Sequence, residues 1–192
     1  MRKSLGLGLS AAAIISTGLI PTAAWAAVTN TVGHTSVAGN PSPGDPSTIV
    51  TFTVTTGALT MTAPASVNLG SGAPGTTISG SLGTVTVTDD RALLNASWTA
   101  TASSTAFTTG GGSGNETIPA SDVTYAPGDI TTTGTITTTG STITLSGASQ
   151  TTVSATAGVG NNTASWDPTL TVAVPAAAVA GLYTGTLTQS AA

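Results

Sequence analysis

Cysteine is absent from this 192-residue chain, which excludes disulfide bonds and thiolate metal sites together. Histidine occurs once, at His34, and the only Lys or Arg beyond Lys3 is Arg91. General acid–base and nucleophilic constellations are built from such groups, so the sequence argues against an enzyme, with no catalytic residue and no cofactor expected. Nucleic acid and anionic lipid are disfavoured as partners for the same reason, because both are bound through Lys and Arg. Aromatic residues make up only 4% of the chain, leaving few rings for stacking on sugars. After Ile20 no apolar run approaches the length needed to cross a bilayer, so no membrane insertion is expected there.

The amino terminus is organised for export. Arg2 and Lys3 precede an apolar stretch from Leu5 to Ile20, and Ala24-Trp25-Ala26 forms a small-residue cleavage site, so residues 1–26 read as a signal peptide. No lipobox is possible without cysteine, and Thr184 to Ala192 shows no LPxTG-type sorting signal. The expected protein is secreted and extracellular, and any hold on the cell surface is expected to be non-covalent.

Residues 27–192 suit one domain. Val50, Phe52 and Val54 alternate with threonines, as do Val85 and Val87, while Trp98, Ala100 and Ala102 continue the pattern. Period two is the mark of half-buried strands, and threonine suits their outward face. Asn40 to Gly44, Gly70 to Gly75, Gly110 to Gly114, Pro127-Gly128 and Gly158 to Asn162 punctuate the runs. This threonine-rich pattern predicts an all-β fold: a single β-sandwich of Ig-like or Greek-key type, with essentially no helix outside the signal peptide. Pro175 and Gly181 hold Ala176 to Ala180 to about one turn. Residues 27–48, with Pro41, Pro43 and Pro46, read as a flexible segment or first strand leading into a strand around Phe52; residues 49–192 form the sandwich. Ile130, Ile136, Ile143 and Leu145 predict edge strands within the threonine-rich stretch from Thr131 to Thr144.

Few residues are candidates for chemistry. His34, between Gly33 and Thr35, reads as a solvated loop residue. Asp89 and Asp90 point to opposite faces if extended, so they do not converge as a catalytic pair. Asp89 with Arg91 forms a structural ion pair at a turn. Asp122, Asp129 and Glu116 lack the spacing of a calcium loop and read as turn-forming acids. The run Gly110 to Gly114 lacks the lysine of a phosphate loop and reads as a flexible connection. Trp98, in phase with Ala100 and Ala102, is a core candidate, and Tyr183 is a further structural one. Trp166 borders the Gly158 to Asn162 loop and Asp167-Pro168, which leaves it open to display at the surface. With Asn161, Asn162 and Asp167 it makes up the candidate wall or partner contact.

Leu59 to Gly70, followed by Val85 to Arg91 and Ser97-Trp98-Thr99-Ala100, resembles the first half of a WxL domain. Leu170 to Pro175 and Ala180 to Thr188 resemble that family's closing strands. The likeness spans about Gly57 to Ala192. It departs at two places: Trp98-Thr99-Ala100 stands where the family has its first Trp-x-Leu, and Gln189-Ser190-Ala191 where it has the second.

The resemblance implies a non-catalytic surface protein of a Gram-positive-type bacterium, bound non-covalently to peptidoglycan or to another cell-surface protein. The alternative expectation is a structural subunit of an extracellular fibre or matrix, self-associating by strand addition from the Ala27 to Ile49 segment, because uncharged threonine-rich strands lack gatekeepers against edge pairing.

Overall fold

The computed structural model describes residues 48–192, together with the backbone of a short antiparallel pair, β1 (Val28–Thr29) and β2 (Thr35–Ser36). The expected signal peptide and His34 lie outside the described residues. Residues 1–49 and 50–192 are separate compact units, and the second carries the sandwich.

Its elements are strands: β3 (Leu59–Thr62), β4 (Thr77–Ser81), β5 (Val85–Ser104), β6 (Phe107–Thr108), β7 (Thr117–Ile118), β8 (Val123–Ala126), β9 (Ile130–Gly140), β10 (Ile143–Thr144), β11 (Gln150–Trp166), β12 (Thr169–Ala173) and β13 (Leu187–Ala191). Two 3₁₀ turns, Gly114–Glu116 and Ala120–Asp122, are the only helical pieces among the described residues. Ala176 and Ala177 sit in a single turn closed by the Ala178 amide on the Pro175 carbonyl at 3.0 Å.

Two antiparallel sheets pack together as a β-sandwich. One has the order β13-β5-β11-β9, with β3 also on the outer edge of β5; the other runs β10-β8-β12-β4. β9 and β10 are edge strands, as Ile130, Ile136 and Ile143 predict.

The first sheet is built on the long ribbon of β5 and β11, whose pairing shifts register at four points. Inward-facing residues of β5 are odd-numbered at Val85, Val87 and Asp89 but even-numbered from Ala96 to Ser104. An odd number of extra residues flips every later side chain to the other face. The change falls where Ala92 and Asn95 take positive φ, opposite Ala157 and Gly160, which do the same. There the ribbon doubles over, because residues from both of its ends share one apolar cluster: Val85, Val87, Ala164 and Trp166 with Trp98, Ala100, Val153 and Ala155. Gly134 carries the bend through β9 at φ 75°, and a Cβ at this position would lie 2.6 Å from the Asn161 carbonyl oxygen.

A second cluster lies against the other sheet and includes Leu82, Ile118, Val123, Tyr125, Leu145 and Leu170. One hydrogen-bond relay joins the two clusters: the Trp166 indole Nε1 donates to Tyr125 Oη at 3.0 Å, and that hydroxyl donates to Gln189 Oε1 at 3.0 Å.

The expected strand around Phe52 is absent. Residues 48–58 carry no strand, and Val50, Phe52 and Val54 are 78%, 86% and 74% exposed. Alternation specifies the two faces of a strand but not a neighbour to pair with, and this stretch has none within its unit.

Candidate functional site

A groove of about 710 Å³ opens at one margin of the sandwich. β4 ends one sheet there and β13 lies on the margin of the other, and both contribute lining residues, Ile78 and Leu187. One wall is the strap from Pro64 to Gly72, which carries the chain from β3 across to β4. Asn68 shapes this strap by accepting the Gly70 amide at 2.9 Å, and Leu69 packs over Gly80, where a Cβ would sit 3.2 Å from the leucine methyl. The opposite wall is the irregular segment from Ala178 to Thr186. Tyr183 orders that wall, its hydroxyl donating to the Val179 carbonyl at 2.9 Å with the Asn115 carbonyl at 3.1 Å. Thr184 and Thr108 exchange backbone hydrogen bonds at 3.0 and 2.9 Å to tie the wall to β6.

The floor is core. Leu82, Ile118, Leu170 and Val172 are buried members of the second cluster, yet they line the groove. No Asp, Glu, Lys, Arg or His lines it. Val67, Val179 and Leu182 stand along its rim at 46%, 42% and 80% exposure. Such a surface offers shape and apolar area to a ligand, with backbone edges for hydrogen bonds and no group for acid–base chemistry.

The charged residues of the sandwich lie elsewhere, and Asp89, Arg91 and Glu116 are held in hydrogen bonds. Asp89 is fully buried and accepts from Arg91 at both oxygens: Nε to Oδ1 at 2.8 Å, Nη2 to Oδ2 at 2.9 Å, and the Arg91 backbone amide to Oδ1 at 3.1 Å. Arg91 Nη2 also donates to the Ser97 carbonyl at 2.9 Å. This fork spans the bulge and fastens the doubled ribbon. The guanidinium hydrogen bonds hold the Asp89 carboxyl below its ordinary range against the opposing effect of burial, and they raise Arg91 in return. Asp90, the neighbour in sequence, is exposed, so the two aspartates do face apart. The ion pair sits within a bend of a continuing ribbon rather than at a strand end.

Trp98 is buried at 2%, in the core position its phase predicts, with its indole N–H unpartnered. Trp166 is not displayed at the surface. It is equally buried at 2% and hydrogen-bonded to Tyr125. Asn162 is buried as well, bonded through Nδ2 to the Gly160 carbonyl at 3.3 Å. Asn161 and Asp167 are exposed but six residues apart along one extended chain, roughly 20 Å. Trp166 and Asp167 border one small opening together with Asp129, while Asn161 and Asn162 lie outside it, so the four make no common contact face. Trp166 belongs inside because it alternates inward with Ala164, while Thr163 and Ser165 face out.

The run Gly110 to Gly114 is organised rather than loose. The Glu116 carboxylate accepts the Ser113 amide at 2.8 Å in a capping box, and hydrogen bonding to the Ser113 side chain first, then to this amide, holds it below the usual carboxylate range. Among the described residues no three His, Asp or Glu side chains gather where a metal could be held. Tyr125, fully buried with its phenol ionisation raised by burial, is a structural residue that sequence reasoning passed over. Its signal was the alternation of Val123 and Tyr125 with Thr124.

No protein-family model matches this chain, no curated protein is significantly similar to it, and no solved structure matches it.

Proposed function

We infer that this chain is a non-catalytic, exported surface protein held non-covalently at the cell envelope through another protein, which it engages in the groove between β4 and β13. The observation that carries this reading is the composition of the groove: an uncharged apolar trough open to core side chains, flanked by edge strands. An extended polypeptide meets such a surface with alternate side chains and backbone hydrogen bonds. Peptidoglycan, the ligand that the WxL resemblance implies, is less well served. Sugars call for stacked rings with polar neighbours, and Trp98 and Trp166 are both buried.

Sedimentation with purified walls tests this. Residues 27–192 should pellet with walls that retain their surface proteins and stay in solution once those walls are stripped by protease. Equal retention on stripped peptidoglycan would overturn the reading in favour of a glycan ligand.

A second reading, a structural subunit that assembles by strand addition, draws support from the exposed alternation of Val50, Phe52 and Val54.

A further inference from the structure

We propose that the groove of one copy receives the segment from Val50 to Thr55 of a second copy, so that chains join head to tail. The proposal rests on the reading of the groove as the face that takes an extended polypeptide; in a row of copies the one groove left free at the end is the one that engages the envelope protein.

Two features of one chain complement each other. Val50, Phe52 and Val54 point the same way in an extended chain, separated by threonines, and are all more than 70% exposed. The groove is a trough with apolar floor and rim and edge strands beside it. Both partners are uncharged: no ionisable residue lies between Ser47 and Gly57, and none but Tyr183 lines the groove. In a chain whose acids far outnumber its bases, two copies meeting through neutral surfaces avoid the repulsion their acidic remainder would impose.

Area is sufficient. Phe52 alone brings about 150–250 Å². With Val50, Val54 and the intervening backbone, burial in the trough approaches the roughly 1,000 Å² at which an interface becomes specific.

The direction of the chain selects a second copy over the chain's own groove. Gly57 donates to the Asp90 carbonyl at 2.8 Å, and Asp90 donates to the Ala58 carbonyl at 3.0 Å. These bonds fix where the segment leaves β3. The groove begins beyond the opposite end of β3, at Pro64, about seven residues or roughly 23 Å away. Folding back would require a reversal where those two bonds hold the backbone extended. Donor and acceptor surfaces are thus different parts of the molecule, and their contact is heterologous, which propagates instead of closing into a pair.

Three forms of residues 27–192 test the proposal: the natural sequence, a donor variant V50D/F52D/V54D, and an acceptor variant V67D/L182D. All five substitutions fall on exposed side chains, so each variant should keep the circular dichroism spectrum of the parent. The mass of the natural chain by analytical ultracentrifugation should rise continuously with concentration. Each variant alone should stay at the mass of one chain. A mixture of the two should stop at two chains, since the donor variant keeps its groove and the acceptor variant keeps its segment. A natural chain that remains monomeric at every concentration would overturn the proposal, as would a donor variant that assembles like the parent. A monomeric chain that still pellets with protein-bearing walls would refute strand exchange while leaving the proposed function standing.

Discussion

The two apolar clusters differ in how they are closed. The tryptophan cluster on the doubled ribbon is sealed by its own chain: all eight of its buried members are at most 2% exposed. The Asp89–Arg91 fork fastens the bend beside it. Both clusters have partly buried apolar neighbours, but at the second even buried members, Leu82, Ile118, Leu170 and Val172, line the groove, with Phe107, Tyr183 and Leu187 beside them. The contrast separates two uses of hydrophobic area. At the ribbon it stabilises one chain; at the groove a portion is left for something else to cover.

The largest effects should fall on the sealed side. Trp166→Ala and Trp98→Ala should each cost about 3–5 kcal/mol by opening a cavity in close-packed surroundings. Denaturant titration of both variants checks this. The corresponding phenylalanine variants sharpen it. Trp166→Phe should be the costlier by about 1 kcal/mol, since only Trp166 loses a hydrogen bond. Equal costs would mean that the Tyr125 relay contributes nothing.

Breaking the fork comes next. Arg91→Ala leaves a buried carboxylate with one backbone donor and should cost roughly 2–3 kcal/mol, below the value for a wholly buried pair because 27% of the Arg91 side chain meets solvent. The pH dependence carries the same information. Asp89 ionises more readily folded than unfolded, so the pair's stabilisation is complete above the ordinary carboxylate range near 4 and fades as the pH falls through the lower, folded value. Unfolding midpoints of the parent should therefore drop on acidification. The drop should shrink in Asp89→Asn, and in Arg91→Ala the stranded carboxyl should gain from protonation. An unchanged acid profile in Asp89→Asn would show that other carboxylates set it.

Effects at the groove should be small. Tyr183→Phe removes the hydroxyl that ties the wall to Val179 and should cost about 1 kcal/mol. Val67→Asp and Leu182→Asp, on the exposed rim, should alter stability by no more than about 0.5 kcal/mol. Thermal melts of these variants decide whether the rim is free surface; a large loss at either rim position would place it in the core.

Much of the sealed side was legible in the sequence and little of the open side was. Period two located both halves of β5 and the edge strands β9 and β10, because half-buried strands must alternate, but β11 was missed, since Gly158 to Asn162 reads as a loop and lies inside that strand. The parity change between Val87 and Trp98 carries the bend, since one register slip reverses every face after it, but the two runs read as one continuing pattern until the fold showed the change. Trp166 was misplaced because Gly158 to Asn162, read as a loop but paired within β11, outweighed its alternation with Ala164. Phe52 was misplaced for the opposite reason: its alternation was read as pairing, which pattern alone does not supply. The groove left no local signal at all. Its walls, Pro64 to Gly72 and Ala178 to Thr186, are irregular, lie more than 100 residues apart in sequence and meet only through the crossing of two sheets.

Amide hydrogen exchange of residues 27–192, with and without an excess of a peptide copying Thr48 to Thr56, tests most directly whether the open side awaits an extended strand. Protection should rise along β4, β13 and the strap from Pro64 to Gly72, while Val85 to Asp89 and Ala164 to Trp166 remain as they were. An exchange pattern indifferent to the peptide, or one altered on the ribbon and not at the groove, would contradict the account.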